Sequence, residues 1–413
     1  MNRREVKKAP VLRFKGFTND WEQHKLGDET NRIKSYSISH GFEVAEDTGT
    51  KYIHYGDIHT SKVKIINNID VLPNIKDNNY KPLKYGDVIV ADASEDYKGI
   101  ADACIVNTIS DSYKIVAGLH TIAFRPKSKL CSKFLYFYLS TDIFKHFGYK
   151  TGTGLKVFGI SYKELAKFKL KEPSVKEQKK IVKLLFLIEN AINLQQRKLK
   201  LLRTLKSGLS FKLFNKKHLN NLSQISLDQI GQTYSGLTGK SKKDFGHGHA
   251  FYVSYLNVNQ NEIGNPKQID RIEIDKKQNL VQKNDIFFTI SSETPEEVGL
   301  TSLWPVSCKS LYLNSFCFGF RINTKMFIPL YLGYLFRSEY FREKVLPLAQ
   351  GISRYNLSKN NVLKIKIGQE EIAIQEKYAK VMNDLDSDIL RQKKKVKELK
   401  LCKKFLPPIV KSS

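Results

Sequence analysis

Two stretches of the chain place apolar residues at alternating steps of four and three. The first runs through Ile181, Leu185, Ile188, Ile192, Gln195, Leu199, Leu202, Lys206 and Leu209. The second runs through Tyr378, Met382, Leu385, Ile389, Gln392, Val396, Leu399, Lys403 and Leu406. Such spacing is the seam of a coiled coil and predicts two long helices. Pro173 ahead of the first seam and Pro407-Pro408 behind the second mark boundaries. Elsewhere the pattern is short: runs such as Phe168-Lys-Leu170 and Ile365-Lys-Ile367 alternate like strands, broken by turn residues.

The two seams differ by a constant offset of 197 residues, and the repeat extends beyond them. Gly154–Ser161 is echoed by Gly351–Ser358, and Gln178 and Gln375 each open a helical pattern. Upstream, Tyr52–Ile58 matches Tyr252–Val258, Leu83–Val90 matches Val281–Phe288, and Leu119–Phe124 matches Leu313–Phe318. A short helix near Leu135–Phe144 or Leu332–Phe341 closes each half. The chain thus reads as α+β, two similar globular domains joined by two long antiparallel coiled-coil helices about a pseudo-two-fold axis. The expected divisions are residues 1–150, a first recognition domain; 151–217, the first helical spacer; 218–350, a second recognition domain; and 351–413, the second spacer. Pairing the seams in reverse sets Ile188 against Leu399, Ile192 against Val396, and Gln195 against Gln392 at the centre, where a polar pair fixes register. Leu199, Leu385 and Ile389 complete that seam.

Composition narrows the function. The 413 residues carry 69 Lys+Arg and 41 Asp+Glu, a formal charge of +28, which calls for a polyanionic partner. With 41% apolar residues the chain can build real cores. No apolar run approaches the roughly 20 residues of a membrane helix, and the basic N-terminus is not a secretory signal. Five scattered cysteines without a CxxC pair suggest neither disulfides nor a zinc ribbon, and favour a reduced, cytoplasmic protein. Residues 151–217 are the most basic part, with 17 basic against 4 acidic side chains; residues 1–150 have 23 against 18.

Signals for catalysis fail. Gly239-Lys240-Ser241 resembles the end of a phosphate-binding loop, but Tyr234 stands where the required earlier glycine belongs. His247-Gly-His249 has the spacing of a metal pair on a strand but no evident third ligand, so neither a metal site nor a catalyst is expected. Binding signals are better. The loops 31–36 and 234–243 mix cations with hydroxyl and amide donors suited to phosphates; Arg32, Lys34, Ser35 and Tyr36 in the first, and Thr238, Lys240, Lys242 and Lys243 in the second, are candidate contacts. Asn257 and its counterpart Asp57 sit where a strand is expected to enter a loop, and an amide there suits an adenine edge. Segments 91–98 and 290–297, with Lys98 and Glu293, differ most between halves and are candidates for base readout. A competing reading is a coiled-coil nucleic-acid-binding scaffold with no duplex sequence preference.

The opening Leu12–Glu22 with Lys25-Leu-Gly27, together with Tyr234–Thr238, Tyr252–Val258, Gly86-Asp87-Val-Ile and the Ile160-Ser161…Pro173…Glu177-Gln178 helix entry, resembles DNA-specificity subunits of type I restriction–modification systems. The resemblance spans essentially the whole chain and rests on the order of motifs, repeated twice. It implies a non-catalytic subunit whose two target-recognition domains each read half of a bipartite sequence in double-stranded DNA, the helices setting the spacing. It further implies docking of two modification subunits, which methylate adenine with S-adenosylmethionine, and two restriction subunits that translocate with ATP and Mg; no cofactor is expected on this chain. The second half departs from the pattern, with Glu370 and Ile374 at the places of Pro173 and Glu177.

Overall fold

The computed structural model describes residues 13–60, 62–95, 99–154 and 157–405. Two long helices dominate it: α1, Val175–Leu213, and α2, Ile372–Phe405. The chain forms two compact units, residues 1–195 with 395–413, and residues 196–394. Each unit therefore contains one globular domain and a part of each long helix. Leu406, Pro407 and Pro408 lie outside the described residues.

The globular part of the first unit is built on a five-stranded sheet. Its strands, in order, are Thr30–Ile33, Thr121–Pro126, Val88–Ala91, Ala103–Val106 and Ile65–Ile66. Val88-Ile-Val-Ala91 is buried throughout because both faces are covered. Val88 and Val90 pack with Phe124 and helix residues Phe134 and Leu135, while Ile89 and Ala91 face a second core with Ile53 and Ala117. The second unit repeats this with Gly231–Ser235, Cys317–Ile322, Ile286–Thr289 and Thr301–Leu303. There Ile286 and Phe288 face one core and Phe287 the other.

In each unit the first strand returns to pair with the last before the long helix, Glu22–Lys25 with Lys169–Glu172 and Gln224–Ser226 with Lys366–Gly368. The globular part thus closes at Glu172, beyond the short helices. Those helices are two per unit and not one: Ser132–Leu139 and Asp142–Thr151, then Pro329–Leu335 and Glu339–Val345. Thr141 breaks the first pair by accepting a hydrogen bond from the Phe144 amide and capping the new helix. Strand register also moves one repeat match by two residues. Phe124 pairs with Val88 as Phe320 pairs with Ile286, so Phe320, and not Phe318, is the counterpart of Phe124.

The entry to each long helix is the most faithful part of the repeat. The Gln178 Oε1 accepts from the Cys131 amide at 2.7 Å, while its Nε2 donates to the Lys129 and Pro173 carbonyls at 3.1 and 2.9 Å. Gln375 does the same with the Ile328 amide and the Met326 and Glu370 carbonyls, at 2.8, 3.0 and 2.8 Å. Every partner is displaced by 197 residues, and both glutamines are buried. A buried amide with its bonds made is a rigid clamp; replaced by an apolar residue it would strand three backbone groups. Glu370 serves as well as Pro173 because only its carbonyl is used. What the second half does lose is the Arg13–Glu177 ion pair at 2.7 Å, since Ile374 stands in the place of Glu177.

The seam is buried as its spacing requires. In the first unit Ile181, Leu185, Ile192 and Val396 are buried, Ile188 and Leu399 half-buried, and Glu189 pairs with Lys403. In the second unit Met382 and Ile389 are buried, Leu199 and Leu385 half-buried. There α1 and α2 run antiparallel: Phe214 meets Tyr378 with ring centroids 6.3 Å apart, and Lys206 meets Asp386 at 2.6 Å. Gln392 is 3% exposed and Gln195 half-buried.

Candidate nucleic-acid interface

In the first unit Arg32 lies on the edge strand Thr30–Ile33, exposed, with its guanidinium 4.7 Å from the Tyr162 ring centre. Lys34 lies over Tyr36 at 5.0 Å. Tyr36 packs edge-on against Tyr80 and accepts a hydrogen bond from the Lys81 amide, while Ser35 bridges to Ala117. Cations held on aromatic faces keep their charge toward solvent with little rotamer freedom to lose, a suitable state for phosphate contact.

Beside them the fold assembles a group that the sequence did not announce. The rings of His40 and His54 are 4.0 Å apart, His54 and Tyr55 4.4 Å, Tyr55 and His120 5.3 Å, and Tyr55 and His59 5.7 Å. Carboxylates bracket the group: His120 Nδ1 is 3.3 Å from Asp92, His59 Nδ1 3.0 Å from Asp102, and His40 Nδ1 2.6 Å from Glu43. Burial, then His40, hold the His54 pKa below its ordinary value, while burial raises that of Asp92. His54 Nδ1 accepts from the Gly56 amide, so the neutral ring carries its proton on Nε2. The members come from residues 40, 54–59, 92, 102 and 120, too far apart for any motif. The one local signal was His54-Tyr55 with His59 on a single short helix, Tyr55–His59.

The places of Asp57 and Asn257 are corrected by that helix and its counterpart in the second unit. Each lies in the first turn of a helix, Tyr55–His59 or Tyr255–Gln260, and not at the mouth of a loop. Asn257 is fully buried; its Nδ2 donates to the Asn265 and Gln268 carbonyls at 2.9 and 2.7 Å, and its Oδ1 accepts from the Asn265 amide at 2.9 Å. It holds the following turn and has no edge left for a base. Asp57 is likewise buried and paired with Lys62 at 3.1 Å.

In the second unit the candidate loop is ordered by internal pairs. Lys240 is held by Asp275 at 2.7 Å, and that ammonium, first among several donors, brings the Asp275 pKa down to about 2. Thr238 is exposed, its amide and carbonyl both engaged by Gln278. Lys242 and Lys243 are exposed in a tight turn that Ser241 and Asp244 close at 2.7 and 2.8 Å. His247 sits in a bulge of the strand Phe245–Val253, where Gly246 and Gly248 take φ of 87° and 93°. Its Nε2 donates to the Lys243 carbonyl at 2.7 Å and its Nδ1 meets Glu273 at 3.0 Å, so the carbonyl, then Glu273, raise its pKa. His247 therefore braces the turn that displays Lys242 and Lys243. Glu293 is exposed; Lys98 lies outside the described residues.

Residues 18–204 match the family model described as the type I restriction modification DNA specificity domain. Two solved structures share the fold over nearly the full length. A type I restriction–modification S subunit from M. genitalium is 14% identical, with 96% of this chain and 97% of that one covered and a TM-score of 0.59. A chain from a structure on complex assembly and conformational transition of the type I R-M system is 12% identical, covering 94% and 97%, at a TM-score of 0.53. Among the described residues no helix is long and apolar enough to cross a membrane. Residues 18–204 therefore match a type I restriction modification DNA specificity domain, and the chain has, over nearly its full length, the fold of the S subunit from M. genitalium.

Proposed function

We propose that each unit reads one half of a bipartite duplex target and that the chain directs adenine methylation or restriction by bound partner subunits without catalysing either. The observation that carries this reading is the duplication itself. The framework, down to the Gln178 and Gln375 clamps, is kept, while the polar groups it carries are exchanged: His40, His54, His59, Asp92 and His120 in one unit, Lys242, Lys243 and a turn braced by His247 in the other. A scaffold without sequence preference has no use for two different readers on one frame, and that disfavours the alternative. Phosphate contacts from Arg32, Lys34, Lys242 and Lys243 make binding salt-dependent, and the polar groups beside them supply discrimination.

Partners dock on the long helices. After the seam is buried, α1 keeps Leu187 at 57% and Leu194 at 64% exposed in the first unit, and Leu201 at 69%, Leu205 at 50% and Phe211 at 64% in the second. Apolar rows of this kind on a charged helix mark interaction faces. One patch per unit suits two methyltransferase subunits, which bring S-adenosylmethionine; two restriction subunits bring ATP and Mg, and the complex works in the cytoplasm. Methylation sequencing of a host with and without this chain tests the reading. The expected result is loss of adenine methylation at one bipartite motif with two fixed halves and an unread gap. Unchanged methylation, or loss at a single uninterrupted motif, would overturn it.

A further inference from the structure

The antiparallel pair that closes the first unit, Glu22–Lys25 with Lys169–Glu172, is separated by Pro173 and Ser174 alone from the start of α1 at Val175. Three ionisable side chains converge on it. His24 Nε2 lies 3.7 Å from Glu172 Oε1, and His24 Nδ1 lies 3.6 Å from Glu29 Oε1. One donor atom from each of the three residues falls within 4.8 Å of the others. Glu22, mostly exposed, reaches the same imidazole at 3.1 Å. Glu172 is 7% exposed, and among the described residues its second oxygen is buried with no hydrogen-bond partner. Burial, then Glu29, push its carboxyl up to about 7.

The fold does not require these charges. Strand pairing sets Ile225 against Ile367 where His24 faces Leu170, and Gln369 donates its amide to Ser223 at the next step. The second unit therefore has Ser223, Ile225, Ile230 and Gln369 where the first has Glu22, His24, Glu29 and Glu172. A buried carboxylate with one oxygen left without a hydrogen bond, beside a second carboxylate, is costly without a compensating charge. A bound cation would supply that charge.

We propose that His24, Glu29 and Glu172 form a binding site for a first-row divalent transition-metal ion, of the Zn2+ class. An imidazole with two carboxylates suits Zn2+, whereas Mg2+ and Ca2+ select all-oxygen shells. Ligands on bonds of about 2.0–2.2 Å around a tetrahedral ion stand roughly 3.4 Å apart; with one donor atom from each residue already within 4.8 Å of the others, closing the shell takes only side-chain adjustment. Water or Glu22 completes the shell. The bound ion would staple the first strand of the unit to the strand that launches α1.

The test uses the full chain stripped with EDTA and titrated with Zn2+ by calorimetry, and with Co2+ for its visible absorption. The wild-type chain is expected to take up one saturable equivalent, with a rise in its unfolding midpoint. Binding should weaken as the pH is lowered, because protons compete with the ion for its ligands. The variant H24I/E29I/E172Q installs the second unit's residues, so it should fold; it is expected to lose at least a hundredfold in affinity and the Zn2+-dependent midpoint shift. Should its circular dichroism differ from wild type in EDTA, Glu172→Gln alone provides the same reading. Absence of a saturable equivalent in the wild type, or equal uptake by wild type and variant, would show adventitious binding and overturn the proposal. DNA binding is not read in this assay, so its outcome is separable from the function above.

Discussion

Leu187→Glu combined with Leu194→Glu is expected to leave the chain folded and able to bind DNA, yet to cut its capture of the methyltransferase subunit by two to four orders of magnitude. Both side chains are mostly exposed and contribute little to the fold, so the change in stability should stay within about 0.5 kcal/mol. Buried in an interface, a leucine side chain is worth about 1.5–3 kcal/mol. Losing two removes about 3–6 kcal/mol, which is roughly a 10²- to 10⁴-fold loss of affinity. Co-purification with the modification subunit measures the effect, and a mobility shift on target DNA serves as the control. Full assembly by the double variant would remove α1 as the docking face.

Arg321→Ala is expected to destabilise the second unit by about 3–5 kcal/mol, because it leaves a buried carboxylate without its cation. Asp285 is 1% exposed, receives two bonds from Arg321 at 2.9 and 2.8 Å, and also accepts from the Tyr234 hydroxyl at 2.7 Å and the Gln282 amide at 2.8 Å. The guanidinium lies 4.9 Å from the Tyr234 ring centre. Arg125 and Asp87 form the same fork in the first unit, at 2.8 and 2.7 Å, without the tyrosine. Ile33 stands there instead, opposite Ala123, as Tyr234 stands opposite Gly319. A Cβ at Gly319 would lie 2.0 Å from that tyrosine ring, so each unit has matched a large residue to a small one across the strand pair. Urea unfolding checks the prediction; a midpoint shift worth less than about 1 kcal/mol would mean that water or a neighbour replaces the arginine.

How far the molecule could be read from its residues follows from range. The seam was legible because its period lies within one helix, and every seam position among the described residues is buried or half-buried. The offset of 197 pointed to Gln178 and Gln375, although their purpose, clamping a loop 47 residues upstream, depends on packing. Asn257 was misplaced because Ser254 caps a helix there by accepting from the Asn257 amide, a start that the expected strand-to-loop transition hid. Lys240 has the right chemistry for phosphate but already holds Asp275, which lies 35 residues away. The histidine group of the first unit was invisible for the same reason: five chain segments meet only in the fold.

The central claim is that the two units read separate half-sites. Its most direct test is to exchange the first globular part, through Glu172, for that of another specificity subunit and to sequence the methylated adenines of the host. One half of the bipartite motif should change to that of the donor while the other half is kept. A hybrid that remains active but changes both halves, or neither, would contradict the account.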